Sequence, residues 1–497
     1  MKNKNHYYQT ELVKMGKWSL FPSDNEIWYG DKSIAYFKKV FDVYKGSLNL
    51  FEHGFTHGYF PKELFLNLRL QIDKINKKNY RSLANKLKTF YSLRKLAEKA
   101  VVSREKLDYS KLSNKKIIRQ LLFIRDWIRK VTIFDQFGFI GEDYLLSLTE
   151  NVLIEKIGLS KNSQEYNRTF FALTKPVRIS TTLSEKRFSL KQAIEIKTEK
   201  ISLEKASQKL SKNYGWMPAF CFSDSWDDKY YQKELKGLLK KNLKELKNEY
   251  AKLSNYRVTQ KYDLKRAVTK YKINSRDLQK FIDFGLALDV RNEAEYFVSF
   301  AGFYLQPLYR EIAKRLNLSI SQVRLFYEVE LTDCLLNKKS TKKILKTKEG
   351  YWGFGFNKKM SKRINFSGQE VKKLLAYLAT FPDNLHKEGE KKGVCASAGK
   401  ARGLVRIISS PTQNDQVNEG DILITYATTV DYLPAMKKAA AIITEVGGLT
   451  CHAAVVSREF GIPCIIAVKN AMTNFKDGDL VEVNADEGVI RLIKRAK

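Results

Sequence analysis

The stretch Ala441-Ile-Ile-Thr-Glu-Val-Gly-Gly-Leu-Thr-Cys-His452-Ala-Ala-Val-Val-Ser-Arg-Glu-Phe-Gly-Ile-Pro-Cys464 constrains the fold of this 497-residue chain more than any other. Ala441–Thr444 is short, apolar and rich in β-branched residues, as a strand buried on both faces should be. Gly447 and Gly448 then permit a turn that no side chain could follow. Thr450 reads as the N-cap of a helix over His452–Phe460, ahead of a second β-type run. Further runs at Leu404–Ser409, Asp421–Tyr426, Pro463–Val468 and Leu480–Asn484, with a helical pattern at Tyr432–Ala439, predict a compact α/β domain.

His452 falls in the first turn of that helix. Free N–H groups and the positive end of the helix dipole favour an oxyanion there and disfavour an imidazolium. A neutral imidazole keeps a nucleophilic lone pair, so this position suits covalent phosphoryl transfer. Thr450 could orient the ring or bind a phosphoryl oxygen, Gly447 and Gly448 would let backbone approach a phosphate, and Arg458 is a charge partner or a surface residue. The plainer reading is a histidine that only caps its helix.

The rest of the chain has another character. Residues 62–345 carry helical patterns, among them the stripe Ile117, Leu121, Leu122, Ile124, Trp127 and Ile128. Asn274 with Asp277 and Ser319 with Gln322 read as helix starts. Asp227–Asn255 reads as one amphipathic helix or an arm of a helical hairpin. The first 60 residues mix strand and loop, and 346–366, with Gly350, Gly353 and Gly355 among Tyr351, Trp352, Phe354 and Phe356, reads as a hairpin or an aromatic-walled loop. The expected layout is a mixed segment at 1–60, a helical basic region at 61–381, a polar hinge at 382–392 and the α/β domain at 393–497.

Charge follows this division. The chain carries +35, from 89 Lys and Arg against 54 Asp and Glu; residues 1–400 hold 78 basic and 43 acidic residues and the remainder balances to zero. The basic region therefore suits an anionic partner. Five scattered cysteines without a C-x-x-C pair predict neither a disulfide framework nor a zinc site, and neither a leader nor an 18-residue apolar window is visible. A soluble cytoplasmic protein is the expectation.

The segment from about Gly393 to Ile493 resembles the phosphohistidine swivelling domain of the phosphoenolpyruvate-utilising enzymes: phosphoenolpyruvate synthase, pyruvate phosphate dikinase and rifampin phosphotransferase. The matching pieces are CASAGKARGLVRI, TTVDYLPAMKKAAAIITEVGG, GGLTCHAAVVSREFGIPCIIAV and DGDLVEVNADEGVIRLI. The resemblance implies that His452 is the phosphoryl carrier, that Cys451 belongs to the synthase-like form of its motif, and that ATP and Mg2+ are used by an ATP-grasp domain. No counterpart of that domain is recognisable in the sequence, so the expected arrangement is an ATP-grasp subunit on a separate chain, or a phosphoenolpyruvate-type donor. NYGWMPAF (213–220) and residues 287–318, with Arg291, Glu293, Arg310 and Glu311, resemble the helical region that precedes the carrier in rifampin-phosphotransferase-like members. Arg291 and Glu293 are accordingly candidate acceptor or charge partners.

The expected function is a phosphotransferase or phosphotransferase subunit. The tether would raise the local concentration of phosphohistidine at an unidentified acceptor. The alternative is a basic protein binding nucleic acid or another anionic partner, its swivelling domain vestigial or regulatory. Other candidates are weaker: His53 and His57 have metal-ligand spacing interrupted by Gly54. Asp135, Glu142 and Asp143 flank a glycine-containing FGFIG read as a helix break and could line a pocket, although acidic residues beside a break are usually solvated; Arg291, Glu293 and Glu295 read equally as surface ion pairs.

Overall fold

The computed structural model describes residues 12–18, 31–43, 48–52, 55–161, 163–219, 225–348, 350–356, 363–378, 393–449 and 451–496. The chain divides into two compact units, Met1–Gly141 with Phe300–Asn384, and Glu142–Ser299 with Leu385–Lys497. The predicted class holds: the chain is mainly helical, with a C-terminal α/β domain. The hinge at 382–392 lies outside the described residues.

In the first unit, strands β1 (Leu12–Trp18), β2 (Leu48–Glu52), β3 (Phe55–Pro61), β4 (Tyr351–Phe356) and β5 (Arg363–Ser367) form one antiparallel sheet in the order β1-β3-β2-β4-β5. The glycine and aromatic segment is thus a pair of strands. Gly353 is needed there because a Cβ would lie 2.5 Å from the Asn49 carbonyl oxygen. The helix Gln369–Leu378 packs Val371, Leu374 and Leu378 against Leu48, Leu50 and Phe366. His57 lies on β3, and His53 lies outside the described residues. The stripe on the helix Asn114–Asn151 buries Ile117, Leu121, Ile124 and Ile128 as expected. That helix runs unbroken through FGFIG, where a Cβ on Gly141 would meet Leu68 and Ile72 only at ordinary contact distances.

The second unit joins a helical bundle to the α/β domain. The stretch Asp227–Asn255 is two helices, Asp228–Leu239 and Leu243–Ser254. Asn242 divides them because its side chain accepts from the Glu245 N–H while the Glu245 carboxylate accepts from the Asn242 N–H, a capping box. The helix Ser275–Leu316 begins where Asn274 Oδ1 accepts from Arg276 and Asp277.

Seven strands form the second sheet: β6 (Val394–Ser397), β7 (Lys400–Ile407), β8 (Ile422–Thr425), β9 (Ala441–Thr444), β10 (Cys464–Ile466), β11 (Leu480–Asn484) and β12 (Val489–Lys494), in the order β12-β11-β7-β8-β9-β10-β6. Neighbours from β7 to β10 run parallel and the outer strands antiparallel. β8 and β9 are buried along their whole length, with one core around Leu423, Ile442 and Val456 and another around Ile422, Ile443 and Val481. This is the pattern of a parallel sheet covered on both faces.

The bundle holds itself together by close approach as well as by burial. A Cβ on Gly285, in the helix Ser275–Leu316, would overlap the Thr174 carbonyl oxygen. Gly285→Ala should therefore destabilise the protein by about 1–3 kcal/mol, the usual cost of overpacking, seen as a lower urea midpoint.

Candidate functional site

The site grows from the end of β9. Glu445 and Val446 donate their N–H groups to the carbonyls of Thr425 (3.1 Å) and Tyr426 (3.1 Å), carrying strand pairing past the last strand residue. Gly447 then takes φ +130°, where a Cβ would lie 2.8 Å from Cys451 Sγ. The Cys451 N–H donates to the Gly448 carbonyl at 3.0 Å and closes the loop. The helix His452–Phe460 follows, and Gly461 ends it at φ +68°.

The cap differs from expectation. Cys451 holds the N-cap position, with extended backbone and no side-chain cap hydrogen bond, while Thr450 lies outside the described residues. His452 is the first residue of the helix. Burial pushes the Cys451 thiol up, so it is not a reactive thiolate.

His452 is buried, at 6% exposure. Its Nδ1 lies 3.0 Å from Thr428 Oγ1, and its Nε2 is buried with no hydrogen-bond partner. Burial, and after it the Arg291 charge, pushes the imidazole pKa down to about 3, so the ring is neutral. A neutral imidazole has one N–H. On Nε2 that N–H would be buried unsatisfied, whereas on Nδ1 it donates to Thr428 Oγ1; the second tautomer leaves the Nε2 lone pair unengaged.

Arg291, on the helix Ser275–Leu316, donates from Nη1 to Glu142 Oε2 at 3.0 Å. Glu142 reaches the glycine loop, since a Cβ on Gly448 would lie 2.5 Å from its Oε1. Of the sequence candidates, the fold thus gathers His452, Cys451, Gly447, Gly448 and Arg291. Burial raises the Glu295 carboxyl one turn beyond Arg291, whose charge opposes the shift.

Arg458 and Glu293 have other parts. Arg458 is a brace rather than a surface residue: its guanidinium donates to the carbonyls of Ala454 (2.9 Å) and Leu449 and stacks 5.3 Å from the centre of the Phe171 ring. Glu293 is not an exposed ion-pair residue. It is fully buried and accepts from the Thr181 N–H (2.8 Å), Thr181 Oγ1 (2.9 Å) and Arg178 (2.6 Å), fixing the start of the helix Thr181–Lys197. Among the described residues, no group of three or more His, Cys, Asp and Glu side chains could hold a metal ion.

Sequence reasoning missed Thr428 and set Glu142 aside. It also missed the surface on which the α/β domain rests. Val430 and Leu433 pack into the bundle core around Leu190, Trp226 and Tyr231. Lys437 pairs there with Glu185 (3.0 Å) and Glu234 (3.5 Å); burial disfavours the ammonium, but these carboxylates outweigh it and raise its pKa. Glu459 is pushed up to about 8 by burial and by Glu293 and Asp289, against Ser180 and Lys175.

Residues 417–488 match the family described as PEP-utilising enzyme, mobile domain. This C-terminal segment is such a domain. Over 99 residues it is 50% identical to a protein named probable phosphoenolpyruvate synthase from Archaeoglobus fulgidus, a match covering 20% of this chain and 13% of that one. It is 48% identical over 99 residues to the phosphoenolpyruvate synthase of Pyrococcus furiosus, covering 20% of this chain and 12% of the relative. The chain thus spans about an eighth of the length of these relatives, and the likeness supports a phosphotransferase-family enzyme through this domain alone. Among the described residues no helix is long and apolar enough to cross a membrane.

Two pH effects follow. Because His452 is depressed from 6.5 to about 3, it adds stability above pH 6.5 that is lost as pH falls towards 3. Because Glu459 is raised from 4.5 to about 8, it adds stability below pH 4.5 that is lost as pH rises through 8. NMR of the labelled ring should show no His452 titration between pH 8 and 5, and thermal midpoints of His452→Gln should fall less than wild type between pH 6.5 and 3. A ring titrating near 6.5 contradicts the buried neutral state.

Proposed function

We propose that this protein is a phosphotransferase, or a subunit of one, that carries a phosphoryl group on His452 Nε2 between a donor and an acceptor. The observation that supports this most is the neutral imidazole whose Nε2 is buried and unpartnered while Nδ1 faces Thr428. The Nε2 lone pair would form the P–N bond as the bond from phosphorus to the donor oxygen breaks, the leaving oxygen keeping the electron pair. Delivery reverses this: an acceptor oxygen attacks phosphorus and the electron pair returns to Nε2.

Thr428 holds the tautomer by accepting from Nδ1–H. Gly447 and Gly448 leave room at the loop for Cys451 and Glu142. Arg291, paired with Glu142 at this loop, would stabilise the phosphoryl oxygens by a charge-assisted hydrogen bond. The contact of the carrier with the bundle through Val430, Leu433 and Lys437 is one station of its cycle, and transfer to another requires that contact to open. On this reading ATP and Mg2+ would be bound by an ATP-grasp partner that loads His452, and the metal would supply charge neutralisation for the polyphosphate there. A phosphoenolpyruvate-type donor would load the same atom.

Radiolabelled phosphoramidate, a small phosphoryl donor to histidine, tests the carrier directly. Wild type should take up an acid-labile, base-stable label that His452→Ala lacks; equal labelling of the two removes His452 as the carrier. Arg291→Gln should slow labelling by about 10- to 100-fold, the worth of one hydrogen bond to a charged group.

A further inference from the structure

The helices Gln164–Thr174 and Tyr256–Lys270 leave between them a groove of about 520 Å3. This lies within the usual size of small-molecule sites. Arg168 and Arg266 face it, one from each helix, and both are exposed. Lys175 closes the end where the first helix stops.

The charges in this groove do not cancel. Glu165 is committed, accepting from Lys270 Nζ at 2.6 Å and from the Tyr271 hydroxyl at 2.7 Å. That leaves Arg168, Arg266 and Lys175 against Asp263 among the lining residues. Lys175 lies 5.1 Å from the Tyr256 ring centre, and burial holds its ammonium below the ordinary range, with Glu459 the largest opposing influence. Lys175 shares the groove lining with the two guanidinium groups, and such an excess of cations is stabilised by an incoming anion. Phe171 and Tyr271 add aromatic wall for an organic remainder.

We infer that this groove binds a small phosphate monoester, its dianionic group held between Arg168 and Arg266 with Lys175 at the inner end. The binding is non-covalent and does not depend on His452, so it stands or falls apart from the carrier reading.

Calorimetry on the full chain, with glycerol phosphate as the probe and glycerol, orthophosphate and sulfate beside it, tests the site. Glycerol phosphate should bind and glycerol should not. Arg168→Gln and Arg266→Gln should each weaken binding about fivefold, as expected for contacts of ~1 kcal/mol between exposed charges, and the double variant by tenfold or more. Lys247→Gln, an exposed lysine on the helix Leu243–Ser254, should leave affinity unchanged. Both arginines are exposed, so these variants should keep the wild-type melting temperature. If orthophosphate binds as tightly as the ester and the arginine variants weaken both, the site stands and free phosphate is its source. Unchanged affinity in the double variant, equal weakening by Lys247→Gln, or equal weak binding of sulfate and both phosphates, an adventitious ion only, overturns the inference.

Discussion

The site depends on two missing side chains. At Gly447 a Cβ would press on the Cys451 sulfur, and at Gly448 it would press on the Glu142 carboxylate. Their absence lets the loop after β9 turn tightly enough to start a helix at His452, and lets a residue from the bundle touch the loop from outside. Arg291 arrives with Glu142, because the two are joined by a 3.0 Å ion pair. Loop geometry and placed charge are therefore one constraint.

Burial then sets the chemistry of the ring. A histidine in water is partly protonated near neutral pH, and a protonated ring cannot attack phosphorus. Here desolvation, reinforced by Arg291, removes the proton, and Thr428 determines which nitrogen keeps the remaining hydrogen. The arrangement leaves Nε2 buried without a partner, an unfavourable state that a phosphoryl group on that atom would relieve.

The contact between carrier and bundle mixes apolar packing with buried charge. Val430 and Leu433 supply hydrophobic burial, while Lys437 with Glu185 and Glu234 adds a pair whose desolvation offsets much of its attraction. Glu459, raised among Glu293 and Asp289, adds the same character at the end of the carrier helix.

Much of the C-terminal domain was legible in the sequence, because its signals are local. The apolar run Ala441–Thr444 and the paired glycines lie within a few residues of what they specify, and the structure reproduces the strand and the helix His452–Phe460. The stripe on the helix Asn114–Asn151 and the starts at Asn274 and Ser319 were legible for the same reason. Local reasoning failed where the partner is distant: the break at FGFIG did not form because packing overrode glycine's helix cost, and the hairpin after residue 350 found its sheet only by pairing β4 with β2. The sequence by itself determined the α/β fold of the C-terminal domain and the place of His452 in the first turn of its helix. Only the tertiary structure decided that Thr428 faces the ring, that Glu142 brings Arg291 to the glycine loop and that Arg458 braces instead of binding, since hydrogen bonds and desolvation depend on separation in space.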